Sequence, residues 1–543
     1  MLQKKIVYPF VFFAILAFYC VYIAKNGFEE WDTGFIAGLA WRIINGEVMY
    51  RDFIYTKPPV TPYFASIFMY LLPQNGQFYY IRCINLILFA VQVSLTVFAV
   101  NNIFNLKKLN FNLWGIITVG FIISWLNFSP YPWYTQDGLL FASAALYFKS
   151  KYKSPGFLQL FVIALFAMLS ALSKQSFYLI PLLFLAWMFI DFGFKKALWF
   201  GSQLAIIAGI LLVIVLQMTT LTVFLADITG QAHFNDLYYT CIYGYLHKNV
   251  KLYMLLFIIS CLAGANYKSI QNTKFASIFK WFIIIQLLTT IVLLAIREAG
   301  LGSIIAFNGC VTALFYNYFI LKKEFKYLFP IVALLVIAWS ATVSWGYPYP
   351  LLYTTGIVVA TIVLMEDVIK IIGSTKLTAI GVLLCVLGLS YNWMPYRDSN
   401  ITQLTYDMGA ISPKLKYIKT DKETFDQHNE LKMLISKYHA PYIVTTNFSG
   451  THYIFGNKNP LMADWMINSE TSFRVEKMVA DAAASNGYIF LEKEFNRKGL
   501  DLKTFSYFSQ YIKDNCIPLE KRTYFTVYDT KQLRKNVFKV TTH

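Results

Sequence analysis

Apolar segments long enough to cross a lipid bilayer recur throughout the first 393 residues of this 543-residue chain. A transmembrane helix needs about 20 consecutive apolar residues, and a liberal count finds about thirteen such segments. The whole chain is 57% hydrophobic and only 14% charged, which excludes an ordinary soluble protein of this length. We therefore predict a mainly α fold, a polytopic bundle of about 11–13 transmembrane helices.

The first apolar segment, residues 6–24, follows Lys4 and Lys5 and in this respect resembles a signal peptide. It is long enough to span, however, and no small-residue cleavage site follows it. We predict an uncleaved first helix with a cytoplasmic N-terminus. Every alternate loop is then rich in lysine, as cytoplasmic loops are. These lysines are Lys107, Lys108, Lys149, Lys151, Lys153, Lys195, Lys196, Lys268, Lys274, Lys322, Lys323, Lys326, Lys370 and Lys376.

The same topology accounts for the net charge. Lys and Arg number 47 and Asp and Glu 29, a formal charge of +18, which in a soluble protein would suggest a nucleic-acid partner. Here the excess lies mostly in short loops, so no nucleic acid is predicted. The seven cysteines lie mostly inside apolar runs, only Cys516 falling in the polar tail, so neither a disulfide framework nor a metal site is predicted. Whether the activity uses a divalent metal is left open, as is the oligomeric state.

From residue 394 the composition changes to that of a soluble domain. Apolar runs of strand length (442–446, 488–491, 524–528) alternate with helical patterns (429–438, 473–484, 505–514), which indicates an α/β domain. We predict a membrane unit over residues 1–393 and a small extracytoplasmic α/β domain over residues 394–543. An odd number of spans places this domain outside the inner or plasma membrane.

The loops between the lysine-rich ones are aromatic and carry isolated charges. They are residues 29–63, the SPYPWYTQD turn ending at Asp137, the SKQS turn at Lys174, residues 227–251, the turn at Arg297 and Glu298, and residues 344–350. If the topology is correct, all of them lie on the outer face. Ionisable residues near span ends are weak evidence of function individually, but they become candidates when they share one face. A histidine such as His233, near Asp236, is more often structural than a ligand.

Residues 29–63 form the most informative of these loops, within a first outer loop of residues 25–77. This stretch has an acidic cluster (Glu29, Glu30, Asp32), an amphipathic helix over 33–45 and a basic end (Arg51, Lys57, then Pro58 and Pro59). Such charges are also found where a chain merely contacts lipid headgroups. A carboxylate with fixed cations is, however, what sugar transfer from a phosphate carrier needs, so the loop is a candidate active site.

The order of these motifs resembles the first outer loop of the GT-C superfamily of membrane glycosyltransferases. It is most similar to glycosyltransferase family 39, which includes protein O-mannosyltransferases and lipid A aminoarabinose transferases. Asp32 matches the family's first acid, Lys57 with Pro58 and Pro59 its K/H-P-P-L element, and Asp137 a second acid at a later span end. Lys174 in ALSKQSF resembles the LTKG element. Thr33, Gln175 and Val60 depart from the usual Glu, Gly and Leu, and the C-terminal domain is not covered.

The resemblance implies a donor sugar on a polyprenyl phosphate and an acceptor on a glycan, lipid or protein, with inversion at the anomeric carbon. Asp32 would be the general base, with Glu30 and Asp137 as further catalytic candidates. The donor phosphate would be bound by Arg51, Lys57, Lys174 or Arg297. Sugar or acceptor contacts are expected from Trp31, Tyr55, Gln136, Gln175, Glu298 and Tyr347.

Two other classes of function stay open. A transporter or flippase for lipid-linked sugars would need polar groups through the bilayer midplane, whereas most charges here lie at predicted span ends. An O-antigen ligase or polymerase of another fold would place its catalytic residues in a large later loop such as residues 227–251.

Overall fold

The computed structural model describes residues 2–109, 111–126, 128, 130–229, 273–342, 350–395, 398–439, 441–493 and 505–535. Its first ten helices are α1 (Leu2–Val21), α2 (Asp32–Ile44), α3 (Val60–Leu71), α4 (Gln77–Phe104), α5 (Leu113–Ser124), α6 (Tyr134–Lys151), α7 (Phe157–Ala171), α8 (Leu179–Phe192), α9 (Phe194–Met218) and α10 (Leu221–Thr229). The next six are α11 (Thr273–Ala295), α12 (Ala299–Phe315), α13 (Phe325–Thr342), α14 (Thr354–Leu364), α15 (Glu366–Ile372) and α16 (Ser374–Asn392).

Among the described residues, seven helices are long and apolar enough to cross a membrane. They are Ile6–Lys25, Gln77–Phe104, Gln175–Phe192, Phe194–Met218, Ala299–Ile320, Phe325–Thr342 and Thr375–Asn392. Shorter apolar helices accompany them: Val60–Leu71, Leu113–Ser124, Phe157–Ala171, Lys280–Ala295 and Leu351–Leu364. The mainly α, multi-helix membrane class is confirmed. The count of 11–13 spans and the sidedness of the termini stay predictions.

Helices α4 and α6 pack against each other in the centre of the bundle. The buried residues of α4 recur at intervals of three and four, the spacing that places side chains on one helical face. Between the two helices, the Ser143 hydroxyl lies 3.0 Å from Thr96 Oγ1 and accepts from Gln92 Nε2 at 3.3 Å. Polar side chains that bond across helices satisfy one another where water is excluded.

The described residues after 398 fold into the small α/β domain that the composition predicts, and we call them the C-terminal domain. Its helices are α17 (Lys422–Tyr438), α18 (Thr451–Phe455), α19 (Asn468–Thr471), α20 (Val475–Ala484) and α21 (Tyr507–Asn515). Its strands are β1 (Tyr406–Asp407), β2 (Lys419–Thr420), β3 (Tyr442–Thr445), β4 (Tyr488–Glu492), β5 (Glu520–Lys521) and β6 (Phe525–Asp529). The main sheet has the order β3-β4-β6-β5, with β3 and β4 parallel and the other pairs antiparallel. Predicted and observed strands agree within about two residues at each end.

Helix α2, at the start of the first loop, lies between the bundle and the C-terminal domain. The sequence predicts an amphipathic helix on a surface, but its residues from Thr33 to Ala40 are all buried. The reason is that the C-terminal domain covers it: a Cβ on Gly34 would come within 2.7 Å of the backbone nitrogen of Gly450. Only glycines at both positions allow so close a backbone approach.

A buried ion pair fixes this contact. The Arg42 guanidinium lies 2.6 Å from Asp464 Oδ2 in the domain, and both side chains are almost wholly buried. Arg42 also pairs with Glu47 at 2.8 Å and donates to the Leu461 carbonyl. A buried charge is tolerated only when it is paired and hydrogen-bonded, so these contacts determine how the domain docks.

We expect Arg42→Ala to lower the free energy of unfolding by about 3–5 kcal/mol, because it leaves Asp464 buried without its partner. Thermal unfolding of the purified protein in detergent measures the change. Arg51→Ala is the matched control, since Arg51 is exposed and its ion pair is with Asp52, two residues that both reach solvent, and it should leave the midpoint almost unchanged. A similar midpoint for both variants would contradict the assigned role of Arg42.

His452, on α18, is a second buried polar residue beneath this contact. Its ring stacks on Tyr442 at 4.9 Å between centroids, and neither ring nitrogen has a hydrogen-bond partner among the described residues. Burial lowers the pKa of His452 from 6.5 to about 3, with Asp464 opposing the shift and Arg42 adding to it. The folded protein therefore keeps this histidine neutral at pH values where the unfolded chain protonates it.

Below pH 6.5 the unfolded chain binds a proton at His452 that the folded chain does not, so stability falls as the pH drops from 6.5 towards 3. The slope from this group approaches about 1.4 kcal/mol per pH unit. We expect His452→Phe, which keeps the stacked ring, to flatten the dependence of the unfolding midpoint on pH between 6.5 and 4.5. The exposed His439→Asn serves as the control, and equal slopes in all three proteins would refute the prediction.

Candidate active site

The turn between α7 and α8 is hydrogen-bonded to the end of the first loop. The Val60 amide donates to the Leu172 carbonyl at 3.1 Å, and the Gln175 side chain donates to the Thr56 carbonyl at 2.7 Å. Gln175 also donates to the carbonyl of Ile228, at the end of α10, at 3.2 Å. These bonds bring together Lys57 and Lys174, which are distant in sequence.

Lys57 and Lys174 both lie against the ring of Tyr134, the first residue of α6. The Lys57 ammonium is 5.1 Å and the Lys174 ammonium 5.4 Å from the ring centroid, and both side chains are buried. Lys174 also donates to the Thr135 hydroxyl at 3.3 Å. Cation–π attraction is strongest where water is excluded, so the ring helps to hold two positive charges close together. We call these two residues the lysine pair.

The C-terminal domain provides an anion for this site. Glu470 of α19 accepts from the Lys57 ammonium at 2.7 Å through Oε1, and from the Thr56 hydroxyl through Oε2. The side chains of Lys57 and Glu470 are each only 9% exposed. This pair therefore lies in a medium of low dielectric, where charge interactions are strong.

Aromatic side chains surround the Lys57 ammonium. Phe35 of α2 and Tyr55 of the loop have ring centroids 5.7 and 5.9 Å from it. Tyr55 is fully buried, and its hydroxyl has no hydrogen-bond partner among the described residues. Burial raises the pKa of Tyr55 well above its usual value, with Tyr134, Glu470 and Asp137 adding to the shift. Tyr55 thus keeps its proton and has an unused donor beside the lysine pair.

Asp137 lies one helical turn beyond Tyr134 on α6, so the two share a helical face. Asp137 is buried and its Oδ2 has no hydrogen-bond partner among the described residues. Its neighbour Gln136 accepts from the Asn85 side chain at 2.8 Å. Asn85, Gln136 and Asp137 line a small cavity between α4 and α6.

Asp32 begins α2, one turn before Phe35, and is half-buried. The Glu29 carboxylate accepts from the Asp32 amide at 2.9 Å, which satisfies an amide that the helix leaves unbonded. Glu29 also lines a small cavity with Arg82, Asn392 and Trp125 among its walls. The N-terminus of α2 therefore lies between this cavity and the aromatic cluster around Lys57.

Glu30 and Trp31 face the C-terminal domain. Glu30 Oε2 bonds to His428 Nε2, and its Oε1 accepts from the Thr451 hydroxyl at 2.8 Å. The Trp31 carbonyl accepts from the Ser449 hydroxyl at 2.8 Å. These contacts hold the domain to α2, and the catalytic role expected of Glu30 stays a prediction.

The remaining candidates lie apart from the lysine pair in the described structure. Arg51 is exposed and bonds to Asp52. Arg297 and Glu298 are also exposed, and Arg297 contacts Met394 and the Ser390 carbonyl at the end of α16. Helix ends on one side of a bundle are spread around its perimeter, so a shared side does not by itself bring residues together. Tyr347, His233 and Asp236 lie outside the described residues.

Sequence reasoning missed several residues of this site. Tyr134 lies in the aromatic turn before Asp137 and could have been selected from its position. Glu470 has no local signal, because it lies 413 residues from Lys57 in a domain that no motif connected with the loop.

Within the described ranges, no three His, Cys, Asp or Glu side chains are grouped so that they could hold a metal ion.

No protein-family model matches the chain, and no curated protein matches it. Among solved structures, the chain is similar to the crystal structure of ArnT from Cupriavidus metallidurans in the apo state, with 10% sequence identity and a TM-score of 0.45. The alignment covers 97% of this chain and 99% of that one. A likeness at this TM-score and identity carries no assignment of family or activity.

Proposed function

We propose that this protein is a membrane glycosyltransferase of GT-C type, a hexosyl or pentosyl transferase. It moves a sugar from a polyprenyl phosphate to an acceptor at the membrane surface. The observation that carries the proposal is the buried lysine pair around Tyr134, one member of which, Lys57, lies in the same loop as Asp32. Two buried cations within an aromatic cluster suit a substrate with a phosphate and a sugar.

In this mechanism the Asp32 carboxylate and the lysine pair have separate roles. Asp32 removes the proton from the acceptor hydroxyl as its oxygen attacks the anomeric carbon. The bond between that carbon and the phosphate oxygen breaks, and polyprenyl phosphate leaves with the electron pair. Attack opposite to the leaving group inverts the anomeric configuration. The phosphate is already a weak base, so no general acid is required.

Lys57 and Lys174 stabilise the negative charge that develops on the departing phosphate. Their burial matters, because a charge interaction is many times stronger at low dielectric than in water. Tyr55, with its unbonded hydroxyl, and Gln136 and Asp137, beside their cavity, are proposed as contacts with the sugar. Arg51 and Arg297 are proposed only as contacts with lipid headgroups or a more distant part of the donor.

The acceptor is proposed to enter from the larger cavity at the N-terminus of α2. The walls of that cavity combine polar side chains, including Glu29, Arg82 and Asn392, with apolar ones, including the indole of Trp125. Hydroxylated groups such as sugars are bound by this combination of hydrogen-bonding side chains and an aromatic ring. Glu29 contacts the Asp32 amide, so an acceptor in the cavity would lie next to the proposed base.

We expect Asp32→Asn to lower the transfer rate by at least about 100-fold, because the amide cannot accept the acceptor's proton. The assay measures free polyprenyl phosphate released from polyprenyl-phosphate hexoses and pentoses by membranes that contain the protein. Asp426→Asn is the control, since Asp426 lies on α17 and pairs with Lys422. Full activity in folded Asp32→Asn protein would move the general base elsewhere, for example to residues 227–251.

We expect Lys174→Met to lower kcat/KM for the donor by about 10- to 100-fold, equivalent to about 1.5–3 kcal/mol for a bond to a charged group. The same release assay at varied donor concentration measures it. Lys149→Met is a matched control, because Lys149 is a buried lysine in the last turn of α6, far along that helix from Tyr134, and pairs with Asp191. Equal kinetics for Lys174→Met and the parent would remove Lys174 from the phosphate site.

A further inference from the structure

The carboxylate of Glu470 is bound as a phosphate would be. Its two oxygens are held by adjacent loop residues, Oε1 by the Lys57 ammonium at 2.7 Å and Oε2 by the Thr56 hydroxyl. The two donors are themselves only 3.3 Å apart. The phosphodiester of a polyprenyl-phosphate sugar also presents two free oxygens that share one negative charge, so Thr56 and Lys57 form a site that either anion can fill.

The surroundings of this site do not favour two anions at once. Phe35, Tyr55 and Tyr134 enclose the Lys57 ammonium, and Lys57 and Glu470 are both buried. At low dielectric, a carboxylate and a phosphate that both contact the Lys57 ammonium repel each other strongly, even with the Lys174 ammonium at the same Tyr134 ring. A phosphate that binds Lys57 must therefore replace Glu470 rather than join it.

We propose that Glu470 occupies the position of the donor phosphate in the empty enzyme, and that the donor binds by displacing it. The inference rests on the function proposed above and adds to it a residue from a domain that no motif linked to the chemistry. Glu470 is a positioning residue. It neutralises and orients the Lys57 ammonium while no donor is present. A competing anion must therefore bind Lys57 more strongly than Glu470 does.

The segment that carries Glu470 is linked to the bundle at a second point. Arg474, four residues further on, pairs with Asp227 of α10 at 2.9 Å. The next residue of α10, Ile228, accepts from Gln175, which also bonds to the Thr56 carbonyl. Displacement of Glu470 would thus act on a continuous set of contacts from α19 through α10 to the loop.

The test uses the full-length protein purified in detergent, with farnesyl phosphate as the probe and calorimetry as the measurement. When a site is open in only a fraction of the molecules, its apparent affinity is the intrinsic affinity multiplied by that fraction. Because Glu470→Gln removes the competing charge, we expect it to tighten binding about tenfold. Lys57→Met should weaken it at least as much. The gain from Glu470→Gln should disappear when Lys57→Met is also present, as a coupled pair requires.

Two further ligands show which part of the probe is recognised. Inorganic phosphate should also bind more tightly to Glu470→Gln than to the parent, though more weakly than farnesyl phosphate does. Farnesol should show no gain. An equal gain for farnesol would mean that Glu470 acts on the lipid tail, and would overturn the proposal. Glu476→Gln, at an exposed glutamate of α20, is the control and should bind as the parent does.

The outcomes separate this inference from the proposed function. If Lys57→Met weakens binding but Glu470→Gln leaves it unchanged, Glu470 is only a structural partner and this proposal fails alone. If farnesyl phosphate binds the parent and Lys57→Met equally, the phosphate site itself fails, and both proposals fall. Should Glu470→Gln not fold, Glu470→Asp provides the same test. It keeps the charge but withdraws the carboxylate by one methylene, and about threefold tighter binding is expected from partial opening.

Discussion

Three charged side chains of the first loop are buried between the helix bundle and the C-terminal domain. Each of the three bonds to a polar or charged side chain of that domain. Arg42 pairs with Asp464, Lys57 with Glu470, and Glu30 bonds to His428. An unpaired charge in such a place costs several kcal/mol, so a docking arrangement that misses one pair is strongly disfavoured. The loop and the domain therefore form one structural unit, although a large part of the chain separates them.

This burial also determines what the lysine pair can do. An ammonium on the membrane surface would be screened by water and salt, and its attraction for a phosphate would be small. Behind the domain, water is excluded and each interaction is stronger. Tyr134 contributes by presenting its ring to both cations, which partly offsets the repulsion between Lys57 and Lys174.

Much of the fold could be predicted from the sequence, because its signals are local. The length of the apolar segments predicts membrane helices, and the alternation of short apolar runs after residue 394 predicts the strands and helices of the domain. Tyr442–Thr445, Tyr488–Glu492 and Phe525–Asp529 are strands at nearly the predicted positions. Within the site, the structure brings Lys57 and Lys174 to one ring, that of Tyr134, and the sequence had placed both lysines on one outer face.

Contacts that depend on tertiary packing could not be predicted. The burial of α2 follows from the close approach of Gly34 to Gly450, and nothing near Gly34 in sequence indicates a partner. Glu470 was missed for the same reason. Arg297, like Lys174, lies at the end of a predicted span, and this made it a candidate for the phosphate site. Two helix ends at the same depth in the membrane can still lie on opposite sides of the bundle, and the sequence does not specify which helices are neighbours.

The ion pair between Arg42 and Asp464 joins residues 422 positions apart, which has a consequence for biogenesis. Proteins are synthesised from the N-terminus, so the first loop emerges long before the domain that covers it. Until translation reaches residue 464, the guanidinium of Arg42 has no Asp464 to pair with and must stay hydrated. A nascent or truncated chain that lacks the final hundred residues would therefore expose this surface to proteases and chaperones, so quality control can distinguish complete from incomplete molecules at the loop itself.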